Sequence, residues 1–194
     1  FVYYAMGVEQ GYDPGRAKSQ AYRLPVHKNW YRATTSHNTV LVDRSSQEGV
    51  EGQLVFFVEH EAFAAAAAVV DTAYENIIHH KLLVMRPDYL LAVDILRATD
   101  GAEHTFDWMY HNRGEAIVSE SAPVEGDAPE GQGFEFIDTI RRGETDEAIR
   151  ATVTNGTGNI HLVVSDAANS EVLIGTGVGE SVLDRVPLLY VTRK

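Results

Sequence analysis

The chain is 194 residues long with 44% hydrophobic and 23% charged residues, the balance of a globular protein that buries its own core. Lys and Arg number 16 against 28 Asp and Glu, a net charge of −12 that no basic run offsets, so nucleic acid is not the expected partner; an acidic ligand would need local cations or a metal. There is no cysteine, which removes disulfides, thiolate nucleophiles and cysteine zinc sites, and no apolar run reaches the roughly 18 residues of a membrane span.

Phe1-Val2-Tyr3-Tyr4-Ala5-Met6 reads as a strand, and a chain that opens this way, without initiator Met or leader pattern, is expected to be part of a longer polypeptide. Residues 8–36 are irregular and dense in aromatic and basic side chains, which predicts a long ordered loop. Apolar and β-branched runs then predict strands at residues 39–42, 54–58, 77–78, 81–85 and 89–96. Between the second and third of these runs lies Ala62-Phe63-Ala64-Ala65-Ala66-Ala67-Ala68-Val69-Val70. Alanine favours helix locally, but it also lets sheets approach closely, and the flanking strands favour a strand here too. Further strands are expected at 105–110, 134–137, 149–153, 161–164, 172–174 and 188–192.

Pro87-Asp88, Asp100-Gly101 and Asn155-Gly156 supply turn chemistry between runs. Residues 121–133, rich in Gly, Pro and acid, read as a polar surface loop. Gly175-Thr176-Gly177-Val178-Gly179 breaks the G-x-G-x-x-G phosphate-binding spacing and reads as a turn. Short strands separated by turns predict an all-β fold, a two-sheet antiparallel β-sandwich forming a single domain over 1–194.

The loop carries most of the candidate chemistry. Aromatic faces stack on sugar rings and Arg pairs with carboxylates or sulfates, which marks Trp30, Tyr31 and Arg32 as substrate contacts; the same aromatics could instead pack over a sheet edge. His37 opens a strand, where neutral imidazole can ligate a metal. Asp13 lies in Asp13-Pro14-Gly15, a sequence that is also plain turn chemistry. His79 and His80 face opposite ways on a strand and cannot form a ligand pair, whereas Asp107 and His111 share a face and could form a polar patch with His104 nearby. Glu59 and Glu61 flank His60 on what reads as a solvated face.

Gly11-Tyr12-Asp13-Pro14-Gly15, followed by Trp30-Tyr31-Arg32-Ala33-Thr34-Thr35-Ser36-His37-Asn38-Thr39-Val40-Leu41-Val42-Asp43 and Gln47, resembles the heparinase II/III-like polysaccharide lyases. Residues 82–94 and 104–111 resemble later strands of that family. The resemblance implies a C-terminal β-sandwich whose partners are an N-terminal helical domain of the same polypeptide and an acidic polysaccharide or oligosaccharide. It implies β-elimination: a base removes the C5 proton of a uronate and the 4-linked sugar departs. It also implies zinc, with Asp13 and His37 matching two ligands and a third falling upstream, so the site in this chain would be incomplete. Tyr22 matches a tyrosine near the substrate and is the expected catalytic residue. A bacterial, periplasmic or secreted setting is implied too, as is inactivity of this portion alone. A non-catalytic carbohydrate-binding or structural sandwich is the competing expectation.

Overall fold

In the computed structural model, which describes residues 1–194 apart from 6, 16, 18–22 and 157, the apolar runs become strands, and every strand pairing is antiparallel. In chain order they are β1 (Tyr3–Ala5), β2 (Val8–Gln10), β3 (Val40–Val42), β4 (Gln53–His60), β5 (Phe63–Tyr74), β6 (Ile77–Met85), β7 (Leu90–Ala98) and β8 (Phe106–His111). They continue as β9 (Ala116–Ser119), β10 (Val124–Glu125), β11 (Asp138–Thr145), β12 (Ile149–Thr154), β13 (Ile160–Val164), β14 (Ser170–Val178) and β15 (Arg185–Arg193). The chain divides into two compact units, Phe1–Ser46 with Thr105–Lys194 and Gln47–His104, where the sequence reads as one domain.

The first unit is built on a six-stranded sheet in the order β10-β11-β14-β15-β8-β3. Its middle strands β14 and β15 are buried along nearly their whole length, so successive side chains feed two cores. Leu189, Val191 and Ile174 point to one side, where Ile149 and Ala151 of the three-stranded sheet β13-β12-β9 meet them; this is the sandwich. Leu188, Tyr190 and Leu173 point to the other side. Trp30 and Tyr31 from a π-helical turn at His27–Tyr31, and Phe134, close it.

Three local expectations are corrected here. Residues 8–36 are not a bare loop: they hold β2, the His27–Tyr31 turn and a 3-10 turn at Thr34–Ser36. Phe134–Phe136 is a 3-10 turn rather than a strand. Gly133 takes a left-handed φ of 92° that swings Phe134 inward, edge-on to Tyr190 at 5.1 Å. Gly175 to Val178 is strand rather than turn, because the glycine at 177 leaves room for the Trp30 indole; a Cβ there would come within 2.6 Å of its ring. The polar 121–133 segment also contributes β10, paired to β11.

The second unit is one four-stranded sheet, β4-β5-β6-β7. The alanine run is strand, as expected, with Ala66 paired to Phe57 on one side and Leu83 on the other. Ladder bonds on both edges of β5 outweigh the helix preference of alanine.

Candidate functional site

Asp13 and His37 lie 24 positions apart in sequence, yet their side chains meet: His37 Nδ1 is 2.7 Å from Asp13 Oδ2. Local chemistry explains each placement. The Asp13-Pro14-Gly15 turn closes on itself through Gly15 N–H, which donates to Asp13 Oδ1 at 2.8 Å, and Gly11 and Gly15 take the left-handed φ values this path needs. His37 follows the Thr34–Ser36 turn, where its N–H donates to Thr34 O at 3.0 Å, and its extended backbone leads into β3. The two side chains are 32% and 26% exposed, so the pair is open to a ligand from solvent.

Burial alone would push the Asp13 carboxyl up. Hydrogen bonds from His37 and Gly15, with the charge of His37, overcome it and hold the group below the usual carboxylate range. An ionised Asp13 only accepts, so His37 Nδ1 is the donor of this hydrogen bond. One carboxylate oxygen and one imidazole nitrogen side by side suit a metal that takes mixed N and O ligands, zinc among them. Among the described residues, no group of three His, Cys, Asp or Glu side chains converges on one point.

Beneath the pair lies a buried polar layer. His111, at the end of β8, has no exposure and stacks edge-on against Trp30 at 5.9 Å. Burial, with His37 nearby, pushes its imidazole down to about 3, so it stays neutral and places no cation under the site. Asn112 Oδ1 accepts from Gly11 N–H at 2.9 Å and from the Tyr110 hydroxyl at 2.6 Å, fixing the end of the β1–β2 hairpin.

The other expected site residues fare differently. Trp30 and Tyr31 are 0% and 4% exposed; Trp30 Nε1 donates to Val178 O at 2.8 Å and the Tyr31 hydroxyl to Gly179 O at 2.9 Å. Buried this way, the two rings pack in a core cluster with Leu41, Met109 and Tyr190. Arg32, next in sequence, is exposed. Tyr22 lies outside the described residues. Asp107 and His111 do share a face of β8, but both are fully buried.

His79 is buried in the second unit, where Asp94 Oδ1 takes contacts from His79 Nε2 and Lys81 Nζ, both at 2.6 Å. Burial pushes Asp94 up, but the His79 hydrogen bond and the Lys81 ammonium hold it below its ordinary value. His80 faces solvent, so the two histidines part as expected. Sequence reasoning missed the partners Asp94 and Asn38. An Asn entering a strand, against its propensity, was the available signal for the second.

The chain matches the family described as heparinase II/III-like, C-terminal, over residues 1–180. No curated protein matches it. Among solved structures it is similar to the heparan sulfate lyase HepC of Pedobacter heparinus. For a mutant form the TM-score is 0.60 at 13% identity, and for the unmutated form 0.58 at 14%. A heparinase III structure gives a TM-score of 0.50 at 14% identity. In each case 96% of this chain is covered, but it spans only 26% of the HepC chains and 28% of the heparinase III chain.

Proposed function

The chain belongs to the heparinase II/III-like C-terminal family, and from that premise we propose that it is the β-sandwich portion of a lyase that cleaves uronate-containing polysaccharide by β-elimination. The observation that carries the reading is the Asp13–His37 pair, a carboxylate and an imidazole 2.7 Å apart and open to solvent within the segment of family resemblance.

The reaction breaks C5–H and C4–O4 of the uronate and forms the C4=C5 double bond. The C5 proton passes to a base and the departing O4 takes a proton from an acid. The proton at C5 is weakly acidic, so the adjacent carboxylate must be neutralised and the base held near its working pH. In this chain Asp13 and His37 would hold zinc as an oxygen and a nitrogen donor. Zinc bound there would supply a fixed positive charge, and binding energy that is also folding energy. Without metal, Asp13 orients the His37 ring by accepting from Nδ1, and zinc held by both would take the place of that proton. Arg32, exposed five positions before His37, is suited to a substrate carboxylate or sulfate. Tyr22 is the proposed proton-transfer group of this chain. The helical domain of the same polypeptide supplies the remaining catalytic groups, and the enzyme works in the periplasm or outside the cell.

The competing module reading needs exposed loop aromatics to stack on sugar, and burial of Trp30 and Tyr31 weighs against it. The test is absorbance of the unsaturated product. The full-length protein should turn over a uronan, and the 194-residue chain should not. Turnover by the chain alone would relocate the catalytic groups; none by either protein would sink the lyase reading.

A further inference from the structure

The contact between Asp13 and His37 joins two distant segments, and something must hold their backbones in register. Three hydrogen bonds form a closed triangle behind it. Tyr12 N–H donates to His111 O at 2.8 Å. His111 N–H donates to Asn38 Oδ1 at 2.6 Å, and Asn38 Nδ2 donates to Tyr12 O at 3.0 Å. Tyr12 immediately precedes Asp13 and Asn38 immediately follows His37, so two corners of the triangle each carry one member of the pair. The third corner is the end of β8, anchored in the six-stranded sheet by pairing of His111 with Leu188.

We infer that Asn38 is a positioning residue that sets Asp13 and His37 at ligating distance by bridging the Tyr12 and His111 backbones. This rests on the reading of the pair as a metal site.

The chemistry of the amide makes Asn specific. Its side chain is 1% exposed, and its Nδ2 also donates to Phe1 O at 2.9 Å, so both donors are used. Its oxygen accepts the His111 N–H and lies 3.4 Å from His111 Nδ1. No other side chain of this size offers two donors and a two-lone-pair acceptor. Asp at 38 would set a carboxylate oxygen against the Tyr12 and Phe1 carbonyls, and an apolar residue would leave buried backbone groups of Tyr12 and His111 unpaired. Neutral His111 completes the corner: its Nδ1 has an acceptor in Asn38, while Nε2 lies unpartnered in the core.

The experiment compares wild type, Asn38→Asp and the milder Asn38→Ser with Ile149→Val and Ile149→Ala. Ile149 is a fully buried residue of the sandwich core, outside the site, so its variants match a range of stability losses. Long-range 1H–15N spectra of the His37 ring are recorded without metal and through a zinc titration. Wild type should show a fixed Nδ1–H tautomer and a zinc-dependent shift. Both Asn38 variants should lose the fixed tautomer, and their zinc Kd should rise about tenfold to a hundredfold, as for loss of a ligand-orienting partner. The Ile149 variants should keep both properties. Retention of ring signature and zinc affinity in the Asn38 variants overturns the proposal, as does an equal loss in the Ile149 variants. If wild type itself shows no zinc-dependent shift, the metal reading fails, and the metal-free ring signature alone decides for or against Asn38.

Discussion

Asp107 is a buried carboxyl with one partner in place and one oxygen without. Thr192 Oγ1 donates to Oδ1 at 2.7 Å, while Oδ2 has no hydrogen-bond partner among the described residues. Burial raises its proton affinity, and the Thr192 hydroxyl with the Arg44 charge offsets this only in part. The folded form therefore binds the proton more tightly than the unfolded chain. Stability from this group is fully present below the ordinary carboxylate pKa and is lost as pH rises through the raised folded value. Asp107→Asn keeps an acceptor for Thr192 and cannot ionise. It should equal wild type near pH 4 and exceed it at pH 7 by on the order of 1–3 kcal/mol, the cost of an unmet buried polar group. Urea unfolding at both pH values checks this; a difference that does not change with pH would remove the account. At this scale the sequence exposes some residues and hides others. Asp13 and His37 were singled out by the family resemblance, since turn chemistry and a strand start do not by themselves mark them as a pair. Asn38 and Asp94 were not, because their roles exist only through partners 73 and 15 positions away.

The elements were legible wherever period-two alternation had turn residues beside it, as in β6 through β8. The alanine run of β5 became strand because both neighbours offered a ladder, a tertiary effect that local propensity does not contain. The glycine-rich end of β14 misled for a related reason. Gly177 reads as turn chemistry, yet it is glycine because the Trp30 ring occupies the space of a side chain: Cζ2 and Cη2 lie 2.5 and 2.6 Å from where Cβ would be. Gly177→Ala must displace a fully buried indole whose Nε1 is bonded to Val178 O. It should cost about 1–3 kcal/mol as overpacking, and tryptophan fluorescence should report a more solvated ring. An alanine variant with the wild-type midpoint and emission would show that the turn can yield without cost.

Across the whole molecule, the all-β character was legible from composition and punctuation, and the division into two units was not. Nothing in the composition shifts at Gln47 or His104, since both units draw on the same strand-forming residues. The site also has a whole-molecule consequence, because a ligand that binds only the folded state stabilises it by mass action. Zinc requires about four ligands and this chain offers Asp13 and His37, so it should bind weakly and be lost on dialysis. In excess zinc the thermal midpoint should nonetheless rise. Occupancy at a hundredfold over Kd corresponds to about 2.7 kcal/mol, which is several degrees for a protein of this size. Asp13→Ala and His37→Ala should each abolish that rise. Their midpoints in chelator should fall only slightly, since they lose one partly exposed contact of a kind worth about 1 kcal/mol or less. In the proposed full-length lyase, where an upstream ligand would join the pair, the same substitutions should lower stoichiometric zinc and stability together. Equal zinc content and an equal zinc-dependent rise in wild type and both variants would mean that the 2.7 Å contact is a structural hydrogen bond and that the metal, if any, binds elsewhere.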